Sequence, residues 1–227
     1  MPNSGNSRQL ALTLPYSQSF AREDFLPGPS NAVALALVTG WPDWPARSVA
    51  LVGPEGSGKS HLADIWAAAA DAQCISGPNL KEGSLPGALK TGALVVEDLA
   101  EDRIDETALF HLLNLAREEG AYVLLTMRTP PAGWNLTLRD LDSRLRALPV
   151  VALAPPDDAL LRALLVKLFA DRQIAVDESL ITYLANRIER SCAAARAAVE
   201  DLDREALRQK RPVTRALAIE LYRDPTP

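Results

Sequence analysis

Cysteine is scarce in this chain, and the two present, Cys74 and Cys192, can build no disulfide framework and have no metal-ligand spacing. Both are expected to sit as small buried apolar groups. Histidine is equally rare, with only His61 and His111, so no imidazole-based metal centre is expected. Basic charge is not in excess either. The 24 Lys and Arg residues against 29 Asp and Glu give a net charge of -5. That balance opposes a general grip on DNA, although a local basic patch can survive such an average. No apolar run approaches the roughly 20 residues that cross a bilayer, and the N-terminus lacks the basic and then apolar blocks of a secretory signal. No membrane partner is expected, and the expected location is cytoplasmic. What the chain does have is a 48% hydrophobic content over 227 residues. That is ample for the core of one domain with a small satellite.

The most informative segment is Gly53-Pro54-Glu55-Gly56-Ser57-Gly58-Lys59-Ser60, which spells G-x-x-x-x-G-K-S. Such a loop wraps the phosphates of a nucleoside di- or triphosphate, ADP or ATP, when it joins a strand to a helix. Both neighbours fit. Ser48 to Val52 is a short apolar run bounded by turn residues, and Ser60 to Ala72 is rich in Ala and Leu. Glycines let backbone N–H groups approach the phosphates, and the helix N-terminus adds positive dipole. Lys59 would reach the outer phosphates and the Ser60 hydroxyl would ligate Mg2+.

Further along, Ala93 to Val96 reads as a strand that ends in Glu97-Asp98, so two carboxylates emerge where open α/β sheets place their ligands. Beside a phosphate loop they read as the pair that holds Mg2+ through water and orients an attacking water. Alone they would read as a solvated acidic strand end. Thr126, closing the strand Ala121 to Thr126, could hydrogen-bond the attacking water or the terminal phosphate, or be an ordinary polar strand end. Ser30 is expected to cap a helix running to Thr39. Glu106 to Glu119 reads as a mostly buried helix stopped by Gly120, and Val150 to Leu153 as a last strand. Beyond Pro156, Ala159 to Asp171, Glu178 to Glu189, Cys192 to Gln209 and Val213 to Tyr222 carry helical periodicity with no strand between them. The chain therefore divides into a polar tail over 1–19, an α/β base over 20–155 and a helical subdomain over 156–227.

Four stretches together resemble the AAA+ ATPases, and within them the family of the bacterial replication initiator DnaA and its short homologues. They are Phe25-Leu26-Pro27-Gly28-Pro29-Ser30-Asn31, the phosphate loop continued through His61-Leu62, Leu109-Phe110-His111-Leu112-Leu113-Asn114, and Leu141-Asp142-Ser143-Arg144-Leu145. The resemblance implies an AAA+ P-loop fold with a parallel five-stranded sheet and a C-terminal helical lid. It places His61 in the nucleotide-binding set with Gly53, Pro54, Glu55, Gly56, Ser57, Gly58, Lys59 and Ser60, and it gives Mg2+ to Ser60 and Glu97. It also selects Arg144, among the crowded Arg139, Arg144 and Arg146, as a finger that reaches the nucleotide of an adjacent subunit.

In the tail, Gln9-Leu10-Ala11-Leu12-Thr13-Leu14 looks like the short peptide by which replication proteins dock on the DNA polymerase sliding clamp. Gln9 would bond at the pocket rim, with Leu10, Leu12 and Leu14 as apolar anchors. The same alternation also fits an edge strand of the protein's own sheet. The chain stops at Pro227, soon after the expected lid helices, so no base-reading domain is expected and DNA would be met only through the clamp. The resemblance thus implies a regulator that acts on DnaA, and it leaves a homodimer open. Two departures point to slow intrinsic hydrolysis. Glu97-Asp98 stands where DnaA relatives usually have Asp-Asp, and the lid arginine that contacts nucleotide aligns with Ala193, Arg196 lying one helical turn away. An autonomous ATPase that loads or remodels a replication factor, and a non-catalytic adaptor between clamp and initiator, are the alternatives.

Overall fold

Ser48–Val52 forms strand β1 of a computed structural model that describes residues 22–222, and it is buried from Val49 onward. A strand buried on both faces reads as a continuous apolar run, because helices cover the sheet from either side. Four more strands, β2 (Gln73–Ser76), β3 (Ala93–Leu99), β4 (Tyr122–Met127) and β5 (Val150–Ala152), complete a five-stranded sheet in the order β2-β3-β4-β1-β5. Every pairing is parallel. On one face lie helices α1 (Ala32–Thr39) and α2 (Lys59–Ala70), packed through Leu35, Leu62 and Trp66 onto Val49, Leu51, Val95 and Leu124. The other face carries α3 (Leu85–Ala88), α4 (Glu106–Glu119) and α5 (Arg139–Ala147), which cover Ala50, Val52, Leu94, Val96, Val123 and Leu125. Alternate residues of one strand thus feed two cores, as the strand period requires.

The last four helices, α6 (Asp158–Asp171), α7 (Glu178–Arg187), α8 (Cys192–Gln209) and α9 (Arg215–Leu221), enclose a core of their own around Leu161, Leu165, Phe169, Leu184, Val199, Leu202 and Leu217. Their starts are sharply defined. Asp157, Asp177, Ser191 and Thr214 each accept a backbone N–H of their helix's first turn, a cap worth about 1 kcal/mol apiece. Phe169 is fully buried at the centre of this subdomain. Phe169→Ala is expected to cost about 3–5 kcal/mol, read as a lower denaturant midpoint for helical signal, while the sheet core is untouched.

Several expectations need correction. The α1 helix starts one residue late for a Ser30 cap: Asn31 holds the cap position, and its side chain turns back instead of capping. Asn31 Oδ1 accepts the Gly28 N–H at 2.8 Å and its Nδ2 donates to the Leu26 carbonyl at 3.0 Å, which fixes the turn ahead of the helix. Strand β2 carries no apolar run because it is a half-exposed sheet edge. Cys74 lies on that edge and is exposed, not buried, and Cys192 at the start of α8 is only partly buried; both cysteines are free. The peptide Gln9, Leu10, Leu12 and Leu14 lies outside the described residues. Among the described residues no helix is long and apolar enough to cross a membrane.

Candidate functional site

The phosphate loop leaves the C-terminal end of β1 under tight constraint. The Gly53 N–H donates to the Met127 carbonyl at 3.1 Å, and a Cβ at Gly53 would stand 2.5 Å from the Leu153 carbonyl oxygen. Gly56 and Gly58 have φ of +70° and +100°, conformations that side-chain-bearing residues adopt only under strain. Gly58 occupies the cap position of α2 and has no side chain to satisfy the first N–H groups, so these face the loop's concavity. Lys59 is only 7% exposed. Its Nζ donates to the Gly53 and Pro54 carbonyls at 2.8 Å each, which tucks the ammonium under the loop. Burial lowers its pKa, and the Asp98 carboxylate is the largest opposing influence.

Glu97 and Asp98 stand beside the loop, and Thr126 sets their geometry. The β3–β4 register shifts between Val96 and Leu99, and Asp98 takes a φ of +53°. Thr126, 1% exposed, accepts the Asp98 N–H on its Oγ1 at 3.0 Å. That bond holds the bulge which turns Glu97 inward and leaves Asp98 exposed. Burial raises the Glu97 pKa, and a hydrogen bond from Ser60 acts against it. Thr126 therefore positions the acidic pair through its backbone.

The helical subdomain closes directly on the loop. The Cys192 N–H donates to the Gly56 carbonyl at 2.8 Å. A Cβ on Gly56 would lie 2.9 Å from Ser191 Cβ and 3.0 Å from Ala193 Cβ. Phe25, Asn31, Ser57 and His61 from the base and Leu160 and Arg196 from the helices line a cavity of about 40 Å3 between the two parts. The edge of His61 meets the Phe25 ring, centroids 5.1 Å apart.

Arg144 lies elsewhere. It is on α5, across the sheet from α2, with its guanidinium over the Phe110 ring at 5.1 Å. It lines a groove with Arg47, Arg117, Leu113 and Ser48, at the end of β1 opposite the phosphate loop. Arg146 is tied to Asp142 at 2.8 Å, whereas Arg144 has no carboxylate partner among the described residues. Two residues near the loop escape sequence reasoning. Arg128, one position past β4, pairs with Glu55 of the loop at 2.8 Å. Asp64, one turn along α2 from Ser60, has a pKa raised by burial. No motif marks either residue; only the parallel sheet order and the helix period bring them there.

The sequence matches no family model and no curated protein. Solved structures do resemble it. Domain III of the Thermotoga maritima replication initiation protein DnaA superposes with a TM-score of 0.78 at 21% identity, over 93% of this chain and 98% of that one. A replication initiator DnaA bound to AMPPCP and single-stranded DNA gives 0.65 at 16% identity, over 84% of this chain and 68% of that one. The fold is that of the AAA+ P-loop ATPases. The Holliday junction branch migration motor RuvB of Thermotoga maritima shares it, with a TM-score of 0.64 at 19% identity, over 84% of this chain and 65% of that one.

The phosphate loop fits a nucleotide by its own geometry. Ser57 Oγ and Glu97 Oε1 are buried with no hydrogen-bond partner, and orphaned polar atoms of this kind need an outside partner. Mg2+ would be held by the Ser60 hydroxyl together with phosphate oxygens, since no three His, Cys, Asp or Glu side chains gather as a metal site among the described residues. Bound there, Mg2+ would neutralise phosphate charge. Gly56→Val is expected to force the helical subdomain off the loop, because its side chain would collide with Ser191 and Ala193. Nucleotide affinity should fall about tenfold or more, by fluorescence titration, through this clash and the strain of a β-branched residue at positive φ.

Proposed function

We propose that this chain is an Hda-type negative regulator of replication initiation. In this reading it holds ADP as a structural nucleotide, is tethered to the DNA polymerase sliding clamp by Gln9, Leu10, Leu12 and Leu14, and stimulates ATP hydrolysis by DnaA through Arg144. The observation that carries the reading is the place of Arg144. It stands across the sheet from its own α2, near the far end of β1, and no acid neutralises it among the described residues. A guanidinium there cannot reach its own loop and is available to another molecule's phosphates. The DnaA likeness of the fold supports a replication role, and the AMPPCP bound by a relative supports nucleotide binding here. DNA contact would run through the clamp, consistent with the net charge of -5.

Lid and acidic pair support weak turnover by the isolated protein. Ala193 stands against Gly56, at the position where the resemblance implies a lid arginine, and Arg196 one turn along lines the cavity with Ser57 and His61. The second reading, an autonomous ATPase, draws on Lys59 and Ser60 in the loop, which the sequence motif retains in full. Sedimentation of the protein with DNA-loaded clamp decides the tether: Leu12→Ala combined with Leu14→Ala should abolish co-migration, since buried apolar anchors dominate such peptides. Undiminished co-migration would remove the tether from the account. Robust ATP turnover by the isolated chain, lost in Lys59→Ala, would favour the autonomous ATPase.

A further inference from the structure

A groove between α1 and α2 lies apart from both the phosphate loop and Arg144. It holds about 530 Å3 and is lined from α1 by Val38 and Thr39, from α2 by Ile65, Ala68 and Ala69, and beyond them by Trp41 and Arg22. That volume falls within the range of about 300–1,000 Å3 that buries small ligands. Among the described residues no carboxylate lines it, and the Thr39 hydroxyl is already donated to the Leu35 carbonyl at 2.9 Å. The lining is therefore apolar except at Trp41 and Arg22. Trp41 Nε1 is buried with no acceptor, a donor that is costly until something supplies one. Ala68 and Ala69 are small and exposed, so another segment of chain can approach α2 closely there. Arg22, the first described residue, lines the same groove. The tail thus meets the base at the groove's rim.

We propose that this groove is the resting dock of the chain's own residues 9–14, which fold back to place Leu10, Leu12 and Leu14 between α1 and α2, so that the sliding clamp must compete for the leucines it binds. The competition rests on reading that peptide as the clamp tether; the docking itself does not. Residues 9–14 carry no charge, and an extended chain turns their three alternate leucines to one side, which matches an apolar groove. Their backbone carbonyls and the Gln9 amide oxygen are acceptors for the Trp41 indole. Reach is ample. Leu14 stands eight positions before Arg22, a span of up to about 27 Å when extended. So short a link holds the peptide at a local concentration on the order of millimolar, and a weak fit is then enough. A second copy offering the same peptide at micromolar concentration is outcompeted by about a thousandfold. The docked form would keep the tether from the clamp without any change at the phosphate loop.

The test reads docking and clamp affinity separately, on the full natural chain and on its Ala69→Arg and Ala69→Glu variants, which put bulk of either charge sign into the groove. Position 69 is exposed and lies at the end of α2 away from the phosphate loop, so both variants should melt and bind ADP like the natural chain. Methyl nuclear Overhauser contacts from Leu10, Leu12 and Leu14 to Ile65 and Ala68 are expected in the natural chain, unchanged on dilution, and lost in both variants. Both variants should also bind the clamp about threefold or more tightly than the natural chain, approaching the isolated peptide of residues 8–15, because apparent affinity is reduced by the fraction of chains whose peptide is undocked. Absence of the contacts, contacts that survive either substitution, or contacts that grow with concentration and so come from a second copy would overturn the inference. So would clamp affinity that is unchanged, or that tightens for one charge sign alone. If the contacts behave as expected but neither the chain nor the isolated peptide binds the clamp, the docking stands and the tether reading alone fails.

Discussion

Lys59→Ala is expected to weaken ADP and ATP binding by about a hundredfold or more, the scale of losing a buried ammonium that bridges loop and phosphate. The ammonium has two structural partners at the start of the loop, the consecutive Gly53 and Pro54 carbonyls. Alanine removes the charge and also leaves those carbonyls without their donor, so the loop loses shape as well as affinity. Two measurements separate these effects. A titration with a fluorescent nucleotide gives the affinity, and the rise in melting temperature with added ADP gives the linkage between binding and folding. The natural chain should melt higher in ADP, and Lys59→Ala should not. Retained binding in the variant would mean that the glycine cradle and the α2 N-terminus hold phosphate unaided, leaving the lysine a structural strut.

Arg144→Ala is expected to abolish stimulation of DnaA while sparing nucleotide binding by the chain itself. A finger that neutralises charge on a transferred phosphoryl group is worth about a thousandfold in rate, and the variant should lose most of that. Arg139→Ala and Arg146→Ala serve as controls on the same helix. The Arg146 side chain is engaged by Asp142 and should contribute little. Lysine at position 144 should not restore activity, because an ammonium lacks the planar fork of donors and the flat face that rests on Phe110. The fold should survive each change, since Leu141 and Leu145, not the arginines, bury α5. Loss of stimulation with Arg139→Ala instead would move the finger to the first residue of the helix.

Much of this architecture is legible in the sequence, for reasons that differ by element. Strand β1 and the start of α2 are visible because glycine spacing and a doubly buried apolar run mark them. Helix α4 is visible at both ends, through the Leu periodicity and through Gly120 at a φ of +68°. The helical subdomain shows because each helix has an apolar face and a polar cap. Strand β2 does not show, since a half-exposed edge needs no apolar run and takes its identity from pairing with β3. Cys74 reads as buried for the same reason: composition says that cysteines are buried on average, while position on an edge decides this one. The bulge at Asp98 is also hidden, because it is held by the Thr126 hydroxyl from 28 residues away. At the candidate site, Lys59, Ser60 and Glu97 follow from motif and strand end. Arg128 does not, because what places it beside Glu55 is the order of strands in the sheet.

Clamp and initiator meet in the central claim, and one measurement addresses it most directly: turnover of DnaA-bound ATP with DNA-loaded sliding clamp, in the presence and absence of this protein. The account predicts that the natural chain accelerates hydrolysis, that Arg144→Ala does not while still bound to the clamp, and that Leu12→Ala with Leu14→Ala does not because it is no longer there. Unchanged DnaA turnover with the natural chain folded, nucleotide-bound and on the clamp would contradict it.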